Sequence, residues 1–358
     1  MTSPDARRPA ARFVTLQHVG GLFLGLAGLL AAFAPVLSPN GPTEQFADRA
    51  YAPPMRIRIW DGTALRAPFV YPLVLEDRLA RTYRHDEAAP ASIRWFRDGR
   101  LLSIDRAHGP LLLLGADTLG RDLLARLLSG ARLSLGVTLI GLAGALLIGA
   151  CVGGLAGAFG GRVDMVLMLA ADFVLVLPAA YVVLVLRGVL PLVLSTGEVF
   201  VLMAALFALA AWPHVARGVR AIVATERQRD YAEAARAAGA GPLRLLGQLL
   251  PAASGFAWVE ALLLVPALLV AEATVSFLGL GFAEPRASWG TLLQDAANVR
   301  VLSEAPWMLA PAAAMFVVVL GVQVIGRARA PKTVLLLGER AVRAPYRRDV
   351  RRTSRSVA

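Results

Sequence analysis

The chain has 358 residues, of which 57% are hydrophobic and 17% charged, with a mean hydropathy of +0.60. Soluble proteins contain roughly 45–50% apolar and about 25% charged residues, so this composition excludes an ordinary water-soluble protein and a disordered one. The single cysteine, Cys151, excludes a disulfide framework. The net charge of +12 comes from basic residues that lie between apolar blocks, which argues against nucleic-acid binding. The composition indicates a polytopic membrane protein.

Six apolar segments are long enough to cross a bilayer, for which a helix needs about 20 residues. They are residues 13–37, 133–158, 165–186, 199–216, 252–282 and 307–326. The first segment follows three arginines like a signal peptide, but its length exceeds the roughly 7–15 apolar residues of such a peptide, so we predict a retained helix. Because arginines concentrate in alternate short loops and in the tail, both termini are predicted to lie in the cytoplasm.

These segments divide the chain into four parts. The predicted parts are a cytoplasmic N-terminus with the first membrane helix (1–37), an outward-facing loop (38–115), a core of five helices (116–327) that contains a cytoplasmic loop (217–251), and a basic cytoplasmic tail (328–358). The core and the first helix together predict an all-α membrane protein with six transmembrane helices.

The long loop after the first helix carries two hairpin signals. Residues 56–60 alternate like a strand and run into Asp61-Gly62, and residues 93–97 run into Asp98-Gly99. We expect a small β-rich insertion that either docks a partner or covers the mouth of the helices.

Motifs of enzyme chemistry are absent from the sequence. It contains no GxxxxGK[ST] phosphate loop and no GxSxG elbow, and its four histidines lie far apart from one another in the sequence. We therefore predict no catalytic site, no cofactor and no metal site. If the protein performs energy-driven work, another chain must hydrolyse the ATP.

Three acidic residues, Asp172, Glu260 and Glu272, fall within the apolar segments. A charge at the bilayer centre costs about 2.5–3.5 kcal/mol on insertion scales, so such residues are candidates for a proton relay in a secondary transporter. No basic partner for Asp172 is evident in the membrane segments, and three acids on two helices form a poor relay. We favour a structural role, such as a hydrogen bond or a water-lined cavity wall.

The predicted loop between the fourth and fifth segments contains a short alanine-rich helix. Asp230 is suited to cap it, with Glu233 at the third helical position, and Gly239 is suited to the left-handed residue after its end. Pro242 fits the first turn of a following helix. Such a rigid helix, parallel to the membrane, can enter a groove on another protein or pack at the membrane interface.

Three stretches of the sequence resemble the second, C-type permease subunit of the dipeptide, oligopeptide and nickel ABC importers. The run Glu233-Ala234-Ala235, followed by Gly239 and Leu250-Pro251, resembles the EAA loop, the coupling helix that docks into the ATPase subunit. Residues 115–127 resemble the T-D-x-x-G-R-D-x-x-S-R segment, with Ala116 and Ala125 in place of its Thr and Ser. Residues 271–290 are similar to the S-F-L-G-L-G…S-W-G signature. The resemblance extends over about residues 110–327.

The resemblance implies the type I ABC importer permease fold in the bacterial inner membrane. It also implies four kinds of partner: a second homologous permease, two ATP-binding subunits, a periplasmic solute-binding protein and the lipid bilayer. ATP hydrolysis would then occur on the ATP-binding subunits, so this chain would not be an enzyme. The solute would be a peptide or a similar small molecule, and a proton-driven secondary transporter is the alternative.

The resemblance also assigns residues. Those expected to couple to the ATPase are Asp230, Glu233, Ala234, Ala235, Gly239 and Pro251. The residues that the resemblance assigns to the other two family motifs are Asp117, Gly120, Arg121, Asp122, Glu272, Ser276, Gly279, Gly281 and Trp289.

Overall fold

A computed structural model of the chain describes residues 21–329, except 23, 62–63, 79, 98 and 178–193. This part of the chain is mostly helical. After helical residues 24–32, its α-helices are α1 (Ala34–Leu37), α2 (Leu123–Phe159), α3 (Gly161–Val176), α4 (Thr196–Glu226), α5 (Asp230–Ala237), α6 (Pro242–Leu249), α7 (Ser254–Phe277), α8 (Trp289–Asp295), α9 (Val299–Glu304) and α10 (Ala310–Arg329).

Four stretches of the described residues are long and apolar enough to cross a membrane. They are Leu123–Phe159, Thr196–Glu226, Pro242–Phe277 and Pro306–Gly326. Each overlaps one of the predicted segments. The predicted segments 13–37 and 165–186 lie partly outside the described residues, so six spans stay a prediction. The tail beyond residue 329 also lies outside them.

The centre of the bundle is the close packing of α2 against α4. Glycines four residues apart on α2 lie on one helix face, and this lets the two backbones approach each other. A Cβ atom at Gly153 would lie 2.3 Å from the carbonyl oxygen of Ala216, and one at Gly157 would lie 2.8 Å from that of Arg220. α4 continues past the predicted end of its span at residue 216 and reaches Glu226.

The helices α5 and α6 are attached to this bundle by buried side chains. Ala232 of α5 and Leu245 and Leu249 of α6 belong to the same apolar cluster as Val219 and Val223 of α4. A 3-10 turn, Leu250–Ala253, joins α6 to α7. The two short helices therefore lie at the end of the bundle where α4 ends and α7 begins.

Seven short strands lie between residues 58 and 103. They are β1 (Arg58–Trp60), β2 (Leu65–Val70), β3 (Leu73–Asp77), β4 (Thr82–His85), β5 (Ala91–Ser92), β6 (Arg94–Arg97) and β7 (Arg100–Ser103). The antiparallel order β1-β2-β5 forms one sheet, while β3-β4 and β6-β7 are separate two-stranded ladders. β1 and β6 fall within the segments predicted as strands. Gly62 and Asp98 of the predicted turns lie outside the described residues.

The strands surround a small apolar core of their own. Met55, Val70, Leu73, Leu111 and Leu112 are its largest nearly fully buried members. This core explains why the segment forms a compact unit beside the helices, because a lone two-stranded hairpin is only marginally stable in water.

Candidate functional site

The helix predicted to couple to an ATPase is present as α5, but its first turn differs from the prediction. Arg229 is the N-cap residue and its side chain makes no capping hydrogen bond, whereas Asp230 is already helical. The carbonyl oxygen of Arg229 accepts the helical hydrogen bond from the Glu233 amide at 3.1 Å, so the helix starts one residue too early for Asp230 to cap it. The predicted capping pair is wrong. Asp230 and Glu233 still complement the positive end of the helix dipole.

The end of α5 is a closed turn at Gly239. This glycine has a φ of +83°, as the sequence predicts. The Gly239 amide donates to the Arg236 carbonyl at 2.9 Å, and the Ala240 amide donates to the Ala235 carbonyl at 3.0 Å, which is the Schellman arrangement. Pro242 then begins α6, also as predicted. The turn thus fixes the direction of α6 relative to α5.

Part of the exposed side of α5 and α6, which we call the coupling surface, is formed by Glu233, Ala234, Ala237, Gly239 and Leu243. The first four are exposed, and Leu243 is 72% exposed.

The other predicted coupling residues divide between surface and core. Ala235 is half-buried and packs against the apolar core of the bundle, so it does not belong to the coupling surface. Asp230 and Pro251 are exposed. The Tyr231 hydroxyl donates to Glu226 at 2.8 Å, which ties the start of α5 to the end of α4. An exposed face that includes Ala234, Ala237 and Gly239 is therefore held at the end of the bundle.

The second predicted motif forms a buried ion-pair network before and within the first turn of α2. The Asp117 carboxylate accepts hydrogen bonds from Arg121 Nε and Arg126 Nη1, both at 2.7 Å. Glu284, from the loop before α8, accepts from Arg126 Nη2 at 2.6 Å and also pairs with Arg121. Asp117, Arg121 and Arg126 are at most 2% exposed. The network joins two segments that are far apart in sequence.

Two further residues of this motif shape the start of α2. Asp122 is the N-cap and accepts hydrogen bonds from the Leu124 amide and from Asn40, each at 2.9 Å. Gly120 has a φ of +73°, and a Cβ atom there would lie 2.1 Å from the carbonyl oxygen of Phe46. Only glycine fits this turn.

Burial raises the pKa of Asp122 to about 6, although Asn40 and backbone amides donate to its carboxylate. Burial, reinforced by the nearby carboxylates of Glu284 and Asp117, also raises the pKa of Asp295 to about 6. An unfolded aspartate titrates near about 3.9, so protonation between these values favours the folded chain. Both groups therefore stabilise the fold more at mildly acidic pH than at neutral pH.

This shift predicts that the free energy of unfolding rises as the pH falls from 7.5 to 5. For Asp122 alone the increase is about 1.4 kcal/mol, because the folded form takes up its proton first. The midpoint of thermal unfolding in detergent, measured at both pH values, should therefore be higher at pH 5. Asp122→Asn should reduce this increase. A midpoint that is equal or lower at pH 5, or an increase that Asp122→Asn leaves unchanged, would contradict the prediction.

The third motif packs the end of α7 against α2. Gly279 has a φ of +74° and ends the helix, with the Leu280 amide donating to the Val275 carbonyl at 3.0 Å. A Cβ atom at Gly281 would lie 2.4 Å from Ser276 Oγ. The Trp289 amide donates to Ser134 Oγ and its indole donates to the Leu127 carbonyl, both at 3.0 Å. These contacts give the motif a packing role.

The acidic residues of the membrane segments have different surroundings. Glu272 is fully buried and accepts a hydrogen bond from Ser276 at 2.8 Å, while Glu260 is half-buried. Asp172 pairs with Arg217 of α4. The expectation that Asp172 has no basic partner is wrong, because α4 extends beyond its predicted end and carries Arg217 alongside α3. In the described chain the three acids do not form one relay.

Sequence reasoning missed Glu284 as a member of the network. Its only local signal is an acidic residue before a proline in a short loop, and its partner Arg126 lies 158 residues away. Arg126 lies within the second motif but is not among the residues that the resemblance assigns, although it is the largest fully buried side chain of the described residues.

Comparison with known proteins agrees with the motifs. Residues 149–334 match the family model described as the binding-protein-dependent transport system inner membrane component. The chain is 36% identical to the nickel transport system permease protein NikC of Escherichia coli (strain K12), over 64% of this chain and 79% of that protein. It is 36% identical to the oligopeptide transport system permease protein OppC of Bacillus subtilis (strain 168), over 63% of this chain and 72% of that protein. It is 31% identical to the di/tripeptide transport system permease protein DppC of Pseudomonas aeruginosa (strain UCBPP-PA14), over 86% of this chain and 84% of that protein.

Proposed function

Because the chain belongs to the family of binding-protein-dependent transport system inner membrane components, the permease subunits of ABC importers, we propose that it forms half of a translocation path for short peptides or nickel chelates. The names of its nickel, oligopeptide and di/tripeptide relatives support this range of solutes. A proton-driven secondary transporter is not favoured, since the relatives are permeases of binding-protein-dependent systems.

The assembly we propose contains a second homologous permease, two ATP-binding subunits below the membrane and a solute-binding protein above it. ATP is hydrolysed on the ATP-binding subunits. The chain crosses the inner membrane six times with both termini in the cytoplasm, so that α5 and α6 face the cytoplasm and the β-rich insertion faces the periplasm. The arginines of the segment from Arg217 to Arg244 support this orientation.

The observation that carries the proposal is the attachment of the coupling surface to the bundle. Ala232, Leu245 and Leu249 bury one side of α5 and α6 in the core shared with α2 and α4, while Glu233 and Ala234 stay exposed. An ATPase subunit that binds the exposed side of α5 and α6 in a groove would move α4 and α7 together with these two helices. Closure of the ATPases would then tilt the helices as rigid bodies between inward-open and outward-open states.

The coupling surface can be tested with Ala234→Arg, which adds a long charged side chain to an exposed position. We expect the variant to fold but to lose at least about 2 kcal/mol of ATPase binding, the cost of disrupting an interface hot spot, or roughly thirtyfold in affinity. Co-purification of the ATP-binding subunits and ATP hydrolysis stimulated by the binding protein are the measurements. Ala234 is preferable to Ala235, whose side chain packs on the core.

The matched control is Ala88→Arg, which places the same side chain on an exposed alanine of the β-rich insertion. It should leave ATPase binding and stimulated hydrolysis unchanged. If Ala234→Arg retains both the binding of the ATP-binding subunits and the stimulated ATP hydrolysis, α5 is not the docking helix.

A further inference from the structure

A cleft of about 370 Å³ lies near the end of the bundle opposite α5 and α6. Its walls come from the loop after α1, the early turns of α2, the start of α4 and the loop before α8, and include Pro42, Ser129, Arg132, Thr196, Pro285 and Arg286. Along α2, Arg132 lies about 38 Å from Gly157, which is beside α5, at 1.5 Å per residue. This exceeds the roughly 30 Å of the hydrocarbon core, so the cleft, which we call the outer cleft, opens on the side away from the coupling surface.

Among the described residues, the outer cleft carries positive charge that no acidic lining residue compensates. Arg132 and Arg286 are both exposed, and neither forms an ion pair within the described part of the chain. No acidic side chain is found among the described residues that line the cleft. The neighbouring Arg121 and Arg126, in contrast, are paired with Asp117 and Glu284.

The buried network holds one of these two arginines in place. Glu284, two residues before Arg286, is bound by Arg126 Nη2 at 2.6 Å and by Arg121 Nη2 at 3.3 Å. Ala287, the next residue, is 5% exposed and packs in the apolar cluster of α2, α7 and α8. Arg286 therefore lies on a loop that is fixed on both sides, and it lines the cleft together with Arg132 of α2.

We propose that the outer cleft binds a carboxylate of the solute as it enters the translocation path, and that Arg132 and Arg286 determine this specificity. The guanidinium group matches a carboxylate in shape and donates two parallel hydrogen bonds to it. The hydroxyls of Ser129 and Thr196 and the apolar surfaces of Leu133 and Pro285 would contact the rest of the solute. The volume falls within the roughly 300–1,000 Å³ of small-molecule sites.

The inference rests on the proposed function and narrows its solute. Arg132 and Arg286, which have no acidic partner in the part of the chain that the structure describes, repel a bare divalent cation, since like charges at close range are unfavourable. The solute that passes is thus a free-carboxylate peptide or a carboxylate chelate of nickel, and free Ni²⁺ is excluded. An acidic side chain of the binding protein presents the same carboxylate chemistry, so the experiment must separate the two sources.

The experiment uses the complete importer in proteoliposomes, with its own binding protein outside and ATP at the ATPase subunits. The probes are alanyl di- and tripeptides with a free carboxylate, the same peptides as C-terminal amides, free Ni²⁺ and nickel citrate, and mass spectrometry measures their accumulation. We expect only the carboxylate-bearing probes to enter. Arg132→Gln and Arg286→Gln should each reduce their uptake about tenfold or more, because a hydrogen bond to a charged group is lost. Arg132→Lys should restore part of it.

Arg56→Gln, which removes an exposed arginine of the β-rich insertion outside the outer cleft, is the control and should transport normally. If the wild-type importer accumulates the probes but both cleft variants behave like Arg56→Gln, or if amides and free Ni²⁺ enter equally well, the carboxylate site is overturned while the importer stands. Binding of the solute-binding protein to the vesicles is measured separately, by sedimenting the two together. If the cleft variants no longer bind it and saturating binding protein restores their uptake, the carboxylate belongs to the binding protein and the solute site is overturned. If no probe enters the wild-type vesicles in an ATP-dependent manner, the proposed solute range itself fails.

Discussion

Replacing Arg126 by methionine is expected to destabilise the folded chain by about 3 kcal/mol or more, within the range found when one partner of a buried ion pair is removed. The Arg126 side chain is fully buried and donates to Asp117 at 2.7 Å and to Glu284 at 2.6 Å. Methionine keeps most of the volume but removes one of the two arginine donors of the buried Asp117 carboxylate and one donor of Glu284. The desolvation of Asp117, which is also fully buried, is then only partly offset by Arg121.

The measurement is the free energy of unfolding of the purified chain in mild detergent, with its thermal midpoint as a second readout. Arg84→Met is the matched control, because Arg84 pairs with Glu76 at 3.0 Å while their side chains are 64% and 51% exposed. Exposed pairs contribute about 0–1 kcal/mol, so this variant should remain close to wild type. Equal losses in the two variants would show that the buried network does not stabilise the fold.

Replacing Gly153 by valine is expected to separate α2 from α4 at a cost of about 3 kcal/mol, the upper end of the usual range for overpacking. The Cβ atom alone would lie 2.3 Å from the carbonyl oxygen of Ala216 and 2.9 Å from its Cα and carbonyl carbon. These are backbone atoms of a helix, so they cannot rotate away as a flexible side chain would. Because α4 leads into α5 and shares its apolar core with α5 and α6, transport should also fall.

Gly255→Val provides the comparison, since Gly255 is also helical and a Cβ atom there meets nothing within 4 Å apart from its chain neighbours and its own helix backbone. Its unfolding free energy should stay within about 0.5 kcal/mol of wild type, as for other open surface sites. The amount of folded chain that elutes as a single species from a sizing column, together with its thermal midpoint, separates the two variants. A Gly153→Val chain as stable as Gly255→Val would mean that α2 and α4 do not pack this closely.

The coupling region shows how far local sequence information reaches. Gly239 and Pro242 occupy the predicted positions because a left-handed residue and a proline in the first helical turn depend on their own backbone angles alone. The cap was misassigned by one residue, since the competition between Arg229 and Asp230 for the cap position depends on how α4 ends. Helix ends are set by such neighbouring elements as much as by capping propensity.

Tertiary packing decided which of the predicted residues are accessible. Ala234 and Ala235 are adjacent alanines of the same motif, yet Ala234 is exposed whereas Ala235 packs on the core. In the same way Asp172 gains Arg217 as a partner only because α3 and α4 lie side by side. A linear pattern can place a residue on a helix but cannot say which neighbouring helix that face will meet.

The sequence by itself determined the class of the protein, its apolar spans within the described chain and the helix that we propose couples to an ATPase. Those properties follow from hydrophobic length and from local backbone preferences, which a short stretch of residues contains in full. Only the tertiary structure decided the buried network and the outer cleft. Arg126 meets Glu284, and Arg132 shares a cleft with Arg286, across more than 150 residues of chain. Such contacts arise when distant segments pack together, and they depend on the geometry of that packing, which no local pattern records.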